Sequence, residues 1–388
     1  MSATIPYGRQ SIDESDLAAV ARVLESDWLT QGPAIPAFEA ALAERTHAAH
    51  AVAVCNATAA LHIACLAAGL GPGDRLWTTP NTFVASANCA RYCGADVDFI
   101  DIDRDTWCLD AAALERKLAD AERTCSLPKV VVPVAFAGRS ADMRAIKRLA
   151  GRYGFTIIED ASHAVGARYE GRPVGCGDFA DMTVFSFHPV KIVTTGEGGA
   201  VLTNNDALHA RLLSLRSHGI TRDAAKMERE SDGPWYYEMV ELGFNYRITD
   251  IQAALGVSQL ARLDAFIERR RALARRYTTL LGDLPLVLPQ CDVLDDSAWH
   301  LYVVRMKLDA TDATHCQVFE RLRHAGIGVN LHYIPVHLHP YYRRLGFAPG
   351  QFPEAEQYYR EAISLPMYAG LTDEAQSIVA HELRKALT

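Results

Sequence analysis

The 388-residue sequence has no long apolar run, no block of like charge and no paired-cysteine motif. Each lack removes a class of protein. No stretch approaches the roughly 20 consecutive apolar residues that a membrane-spanning helix needs. Residues 1–7 lack the charged start and apolar centre of a secretory leader. Lysine and arginine total 39 against 47 aspartates and glutamates, a net charge of -8 with no basic cluster. Neither nucleic acid nor a membrane is therefore an expected partner. The nine cysteines (Cys55, Cys65, Cys89, Cys93, Cys108, Cys125, Cys176, Cys291 and Cys316) are odd in number and scattered, with no C-x-x-C pair. They read as reduced thiols rather than a disulfide framework or a zinc site. Asn56-Ala57-Thr58 matches a glycosylation sequon, which means nothing without secretion. The expectation is a cytoplasmic protein that acts on small molecules.

What is present is enough apolar sequence, 49%, to bury a large core. A main domain over 1–248 and a smaller C-terminal domain over 249–388 are expected, with no repeat or low-complexity linker between them. In 11–27, Leu17, Val20, Ala21 and Leu24 share one helical face behind the capping candidates Ser11 and Asp13. A turn with an exposed-looking Trp28 follows, and Phe38 and Leu42 mark a second helix. From Ala51 onward, short apolar runs at 51–54, 75–78, 97–100, 129–135, 156–159, 182–186 and 199–203 alternate with helical segments. That alternation predicts an α/β fold with a mostly parallel sheet covered on both faces, binding its ligands beyond the carboxyl ends of the strands. Residues 248–281 read as long helical sequence, with Ile251, Ala254, Leu255, Leu260 and Leu263 apolar and Glu268-Arg269-Arg270-Arg271 as a solvated charged face. A strand at 300–308 and helices at 316–325, 354–363 and 373–387 complete the chain.

The chemistry concentrates at strand ends. Between the runs 182–186 and 199–203 lies a Gly-rich loop with one lysine, Lys191, and no acidic neighbour before Glu197. Partial desolvation there favours the neutral, nucleophilic amine, so a Schiff-base lysine is predicted, against the alternative of a snorkelling lysine at a sheet edge. The stretch 55–61 opens a helix with small residues, where backbone amides and the Thr58 hydroxyl converge on an anion such as phosphate, unless Asn56 and Thr58 are only caps. The glycines of 69–74 follow a helix and mark a turn instead of a nucleotide loop. Phe83 either stacks on an aromatic ligand or fills the core. Glu159-Asp160-Ala161-Ser162-His163 sets two acids and a histidine directly after a buried strand with no basic residue nearby, so Asp160 is a carboxylate seeking a cation. His332, His337 and His339 invite a metal reading, but Pro335, Pro340 and the lack of neighbouring acids suit a binding loop better, and no metal is expected. A phosphate cradle, a stacking ring, a carboxylate for a pyridinium and a desolvated amine together describe the needs of pyridoxal phosphate.

The same stretches carry a resemblance. Asn56 through Leu61, Thr79-Pro80-Asn81-Thr82-Phe83, Glu159 through Ala164, Phe185-Ser186-Phe187-His188-Pro189-Val190-Lys191 through Gly199, Arg216-Ser217-His218-Gly219 and Gly243-Phe244-Asn245-Tyr246-Arg247 through Gln252 resemble the DegT-like sugar-nucleotide aminotransferases. The likeness runs from about Tyr7 to Tyr368. It implies the aspartate aminotransferase-like fold of pyridoxal phosphate fold type I, with a seven-stranded sheet in the large domain and an α+β small domain. By this resemblance Lys191 carries the cofactor, Asp160 pairs with the pyridine nitrogen, and His163 lies against the ring or its phenolic oxygen while Phe83 stacks on its face. Thr58, the Ala59 backbone and Ser186 hold the phosphate, joined by Asn245 of the partner subunit. The sugar nucleotide is gripped by Tyr7, by Asp27, Trp28, Leu29 and Thr30, by Ala57, Ser186, His188 and Asn245, and by His332, Tyr333, Ile334 and Pro335. A homodimer with its active site at the subunit interface follows, and Arg247 either meets the donor carboxylate or makes a structural ion pair.

Within the family, Tyr7, Leu29-Thr30-Gln31-Gly32, Met239 through Gly243 and His332 through Val336 look most like the branch that serves pseudaminic acid biosynthesis. The resemblance implies transfer of an amino group from L-glutamate, through pyridoxamine phosphate, to C4 of a UDP-linked 4-keto-6-deoxy sugar. Relatives with histidine in place of the lysine are dehydratases, and Lys191 keeps the transaminase reading. A 3- or 4-aminotransferase for dTDP-sugars and a regulatory protein that binds without turnover are the alternatives.

Overall fold

The structure is a computed structural model that describes residues 4–290 and 296–388. Cys291 lies outside the described residues.

Seven strands form the main sheet: β1 (His50–Val54), β2 (Arg75–Thr78), β3 (Asp96–Phe99), β4 (Val130–Val132), β5 (Thr156–Asp160), β6 (Met182–Ser186) and β7 (Gly199–Thr203). Their order is β1-β7-β6-β5-β4-β2-β3. β7 runs antiparallel to both its neighbours, and the other pairings are parallel. The carboxyl ends of β1 to β6 therefore share one edge, and β7 starts from it. Alternate residues feed opposite cores: Val52, Val54, Val184 and Val201 pack on one face, while Ala51, Ala53, Phe185 and Leu202 pack on the other. Burial on both faces is why these strands read as unbroken apolar runs. The 129–135 run is longer than β4 because its end already turns toward the site.

A third core gathers Leu273, Tyr277, Tyr302, Val304, Leu322, Ile363 and Leu383. It surrounds an antiparallel sheet of β8 (Leu286–Val287), β9 (Tyr302–Met306) and β10 (Ala362–Leu365), in that order. The helix Leu263–Leu281 links this core to the rest, because Phe266 and Ile267 pack with the main sheet and Leu273 and Tyr277 with the small one.

Four sequence expectations are corrected. The 248–281 stretch is two helices, Asp250–Ala261 and Leu263–Leu281, broken at Arg262. The 354–363 helix stops at Glu361, where Ala362 enters β10 and pairs with β9. In Glu14–Leu24, capped by Asp13, the inward face carries Asp16 and Ala19, whereas Leu17 and Leu24 stand 57% and 58% exposed. Polar contacts decide that rotation: Gln259 donates to Asp16 at 2.7 Å, and Arg262 pairs with both Asp16 and Asp13. Finally, Arg270 is not on a solvated face but is 2% exposed.

Candidate active site

The carboxyl ends of β1, β2, β4, β5 and β6 open onto one cavity of about 560 Å³. Lys191 stands in its wall, on the loop joining β6 to β7. Both feet of that loop are tied: Phe187 N–H donates to the Gly198 carbonyl at 2.9 Å, and Thr195 N–H and the Thr194 hydroxyl reach the Phe187 carbonyl at 3.0 Å. The exposed area of Lys191 faces the cavity, and the packed surroundings strip water from its amine. Burial lowers the amine to about 8, with the negative charge of Asp160 acting the other way. A substantial neutral fraction at physiological pH is what a nucleophilic amine requires.

Asp160 is the last residue of β5. Its Oδ2 accepts the Ser86 hydroxyl at 2.6 Å, and its Oδ1 accepts the Ser162 hydroxyl at 2.5 Å and the Ser162 amide at 3.1 Å. These donors satisfy the buried carboxylate's oxygens without supplying a positive charge, so a ligand cation would complete the site. Glu159 points to the other face of the sheet, where burial raises its carboxyl to about 7 and the Ser140 hydroxyl donates to it.

His163 follows on the next turn. The Ala137 amide can only donate, and it meets Nδ1 at 3.2 Å, so the neutral ring carries its proton on Nε2. Nε2 lies 3.0 Å from the Tyr333 hydroxyl oxygen, donates to it, and leaves the tyrosine's own proton free for another acceptor. Burial, then the charges of Lys191 and His332, hold His163 well below its ordinary value. His300 lies beside it, ring centroids 4.4 Å apart. His332 is pressed to about 3 by burial and by Lys191, and its Nδ1 is 2.8 Å from the Ser364 hydroxyl. His337 pairs separately with Glu356 at 3.0 Å.

Asn56 is extended and caps the helix Ala57–Ala67 by accepting the Ala59 amide at 2.8 Å. The first-turn amides of Ala57 and Thr58 stay open to an anion. β7 can approach this turn only because it begins with glycine: a Cβ on Gly199 would lie 2.6 Å from the Ala57 nitrogen. Phe83 is 58% exposed, which removes the core alternative, and its side chain lines the cavity.

Tyr7, Ala57, Thr58, Ser186, His188, His332 and Tyr333 also line the cavity with Lys191, Asp160, His163 and Phe83. Asp27, Trp28, Leu29, Thr30, Ile334, Pro335, Ala59 and Asn245 do not line it, and neither does Arg247. Trp28 and Leu29 are exposed on the loop before the second helix, and Asn245 is exposed on a segment bridged to Ser217. Sequence reasoning missed Ser86, Ser162, His300 and Asn330. The serines were findable, since Ser162 stands two residues past the acid, whereas His300 sits at the start of an ordinary apolar strand and gives no signal.

The family model for the DegT/DnrJ/EryC1/StrS aminotransferases matches residues 10–384. The chain belongs to that family. The spore coat polysaccharide biosynthesis protein SpsC of Bacillus subtilis is 40% identical over 385 residues, 98% of this chain and 96% of that one. Among solved structures, Helicobacter pylori PseC, an aminotransferase of pseudoaminic acid biosynthesis, superposes with a TM-score of 0.90 at 32% identity, covering 99% of both chains. Bacillus subtilis NtdA, solved with bound pyridoxamine phosphate, reaches 0.83 at 27% identity, over 96% of this chain and 81% of that one. This DegT-family chain is therefore a sugar aminotransferase of fold type I that uses pyridoxal phosphate. The residues present fit the group: an unneutralised carboxylate, open first-turn amides and a partly desolvated amine surround one cavity.

Proposed function

We propose that the enzyme transfers the amino group of L-glutamate to C4 of a nucleotide-linked 4-keto-6-deoxy sugar, with the UDP-linked sugar of pseudaminic acid biosynthesis as the preferred acceptor. The carrying observation is the Lys191 amine, held partly neutral in a cavity whose walls mix apolar side chains with the neutral polar groups of tyrosine, histidine, serine, threonine and asparagine. Such walls suit a polyhydroxylated sugar, which needs many neutral donors and acceptors.

Pyridoxal phosphate supplies an electrophilic carbonyl and an electron sink when bound. Asp160 would hold the ring nitrogen's proton, and Thr58, the Ala57 amide and Ser186 would hold the phosphate. Phe83 would cover one ring face. Lys191 would take a proton from the donor α-carbon in the first half-reaction and deliver one to C4 of the sugar in the second. A base near neutrality serves both directions. His163 stays neutral and donates from Nε2, and Tyr7, His188, His332 and Tyr333 orient the sugar.

Asp27 to Thr30, Ile334, Pro335 and Asn245 lie outside the single-protomer cavity, so their contacts belong to a homodimer whose interface completes the site. The exposed Trp28, Trp235, Met239 and Leu242 support that assembly, the last being 77% exposed. A boundary near residue 249 between the two domains and a cytoplasmic location accompany this reading.

The test is product analysis with glutamate and a panel of UDP- and dTDP-linked 3- and 4-keto sugars, alongside sedimentation of the enzyme. Turnover of a UDP-linked 4-keto sugar to its 4-amino product by a dimer is expected. Amination at C3, or selectivity for dTDP-sugars, would replace the substrate assignment.

A further inference from the structure

Arg270 is a buried cation with an unusual set of partners. Its Nη1 lies 3.1 Å, 3.2 Å and 3.0 Å from the carbonyl oxygens of Trp299, His300 and Met367, and no carboxylate is paired with it among the described residues. Its Nε has no hydrogen-bond partner among the described residues. Burial alone lowers the guanidinium to about 10. A desolvated cation facing only carbonyl dipoles is not an efficient way to stabilise a fold, since an apolar side chain of similar volume commonly does as well.

The three carbonyls belong to segments that lead into the cavity. Behind its floor, Ala298 N–H donates to the Gly138 carbonyl at 3.0 Å and Leu301 N–H to the Ala137 carbonyl at 3.3 Å. Ala137 is the residue whose amide sets the His163 tautomer. His300 itself lines the cavity against the His163 ring. On the other branch, Met367 N–H donates to the Tyr7 carbonyl at 2.9 Å, and Tyr7 also lines the cavity. Arg270 occupies the point on its helix between Ile267, in the main-sheet core, and Leu273, in the small-sheet core.

We propose that Arg270 is a positioning residue for the amine chemistry, its buried guanidinium tying together the segments that carry His163, His300 and Tyr7 so that these side chains close around Lys191. The inference rests on Lys191 being the reactive amine. It requires arginine because one terminal nitrogen, Nη1, reaches all three carbonyls at the end of a side chain one bond longer than lysine's, so a lysine amine would stop short of that point. Cutting the tie lets water reach Lys191. The groups that face it, Asp160, His163, His300, His332, Tyr333 and Glu197, all remain in the variant, so a change in its titration reports hydration and position.

The experiment uses Arg270→Gln, Arg270→Lys and the exposed control Arg123→Gln, each freed of cofactor and checked for folding by circular dichroism. Lys191 is labelled with trinitrobenzenesulfonate across a pH series and quantified by peptide mass spectrometry. Wild type and Arg123→Gln should show a midpoint near 8. Arg270→Gln should rise by about one unit or more toward the solvated value, with Arg270→Lys between the two. In the reloaded enzymes, KM for the keto-sugar nucleotide should rise about tenfold in Arg270→Gln. A folded Arg270→Gln with lowered melting temperature but an unchanged midpoint and KM would make the residue merely structural and overturn the proposal. If Arg270→Gln does not fold, an unchanged midpoint in Arg270→Lys overturns it equally. A wild-type midpoint near that of surface lysines would instead remove the reading of Lys191 on which the proposal rests.

Discussion

Ser86 donates its hydroxyl to Oδ2 of Asp160 across 2.6 Å, joining the first turn of the helix Ala85–Tyr92 to the end of β5. Each neutral donor meets part of this buried carboxylate's need for hydrogen bonds, and removing one leaves an oxygen without that partner. Ser86→Ala should raise the cofactor dissociation constant about tenfold, corresponding to one charge-assisted bond of about 1.5 kcal/mol. Equilibrium dialysis against pyridoxal phosphate measures it. Affinity equal to wild type would show that Ser162 alone suffices.

Lys191 makes folding depend on pH. Its amine titrates near 8 in the native protein and at 10.5 when unfolded. The unfolded chain therefore binds the proton more tightly. The resulting destabilisation is fully present below pH 8 and fades as pH rises from 8 toward 10.5. Cofactor-free Lys191→Met should be more stable than wild type at pH 7, on the order of 2 kcal/mol after allowance for cavity water. The difference should shrink by pH 10, as urea melts at both values would show, while amino transfer is abolished throughout. A pH-independent difference would mean that the amine is not desolvated.

Gly199→Ala tests space, not backbone freedom. The added methyl would meet the Ala57 nitrogen at 2.6 Å and the Asn56 carbonyl carbon at 2.7 Å, so the helix turn must move. Cofactor affinity should fall more than about tenfold, with a stability loss of about 1–3 kcal/mol, the usual cost of overpacking. Calorimetry with and without pyridoxal phosphate separates the two effects.

Phe83→Ala should do the opposite. Because the ring is largely exposed, stability should change by less than about 0.5 kcal/mol. Lost stacking should weaken cofactor binding by about 0.5–1.5 kcal/mol. A large drop in melting temperature without cofactor would assign the ring to packing instead.

These predictions draw mainly on residues whose signal was local. Lys191 drew attention as the one lysine in a Gly-rich loop between apolar runs, and Asp160 as part of a cluster of two acids and a histidine directly after a buried strand with no basic residue beside it. The sheet was legible because strands buried on both faces leave continuous apolar runs. Leu17 and Leu24 misled, because the rotation of their helix is set by Gln259 and Arg262, more than two hundred residues away in sequence. Arg270 was invisible as a buried group because two further arginines flank it, and only the convergence of Trp299, His300 and Met367 distinguishes it. The same distance problem hid His300.

The return of β7 alongside β6 constrains how the reactive amine moves. A loop stitched to the sheet at entry and exit cannot swing as a lid, so Lys191 must make its whole excursion by rotation about the methylene carbons of its own side chain. Lengthening that loop by even a residue or two would slacken the stitch and separate the amine from the carbon it serves, although every side chain named above would still be present.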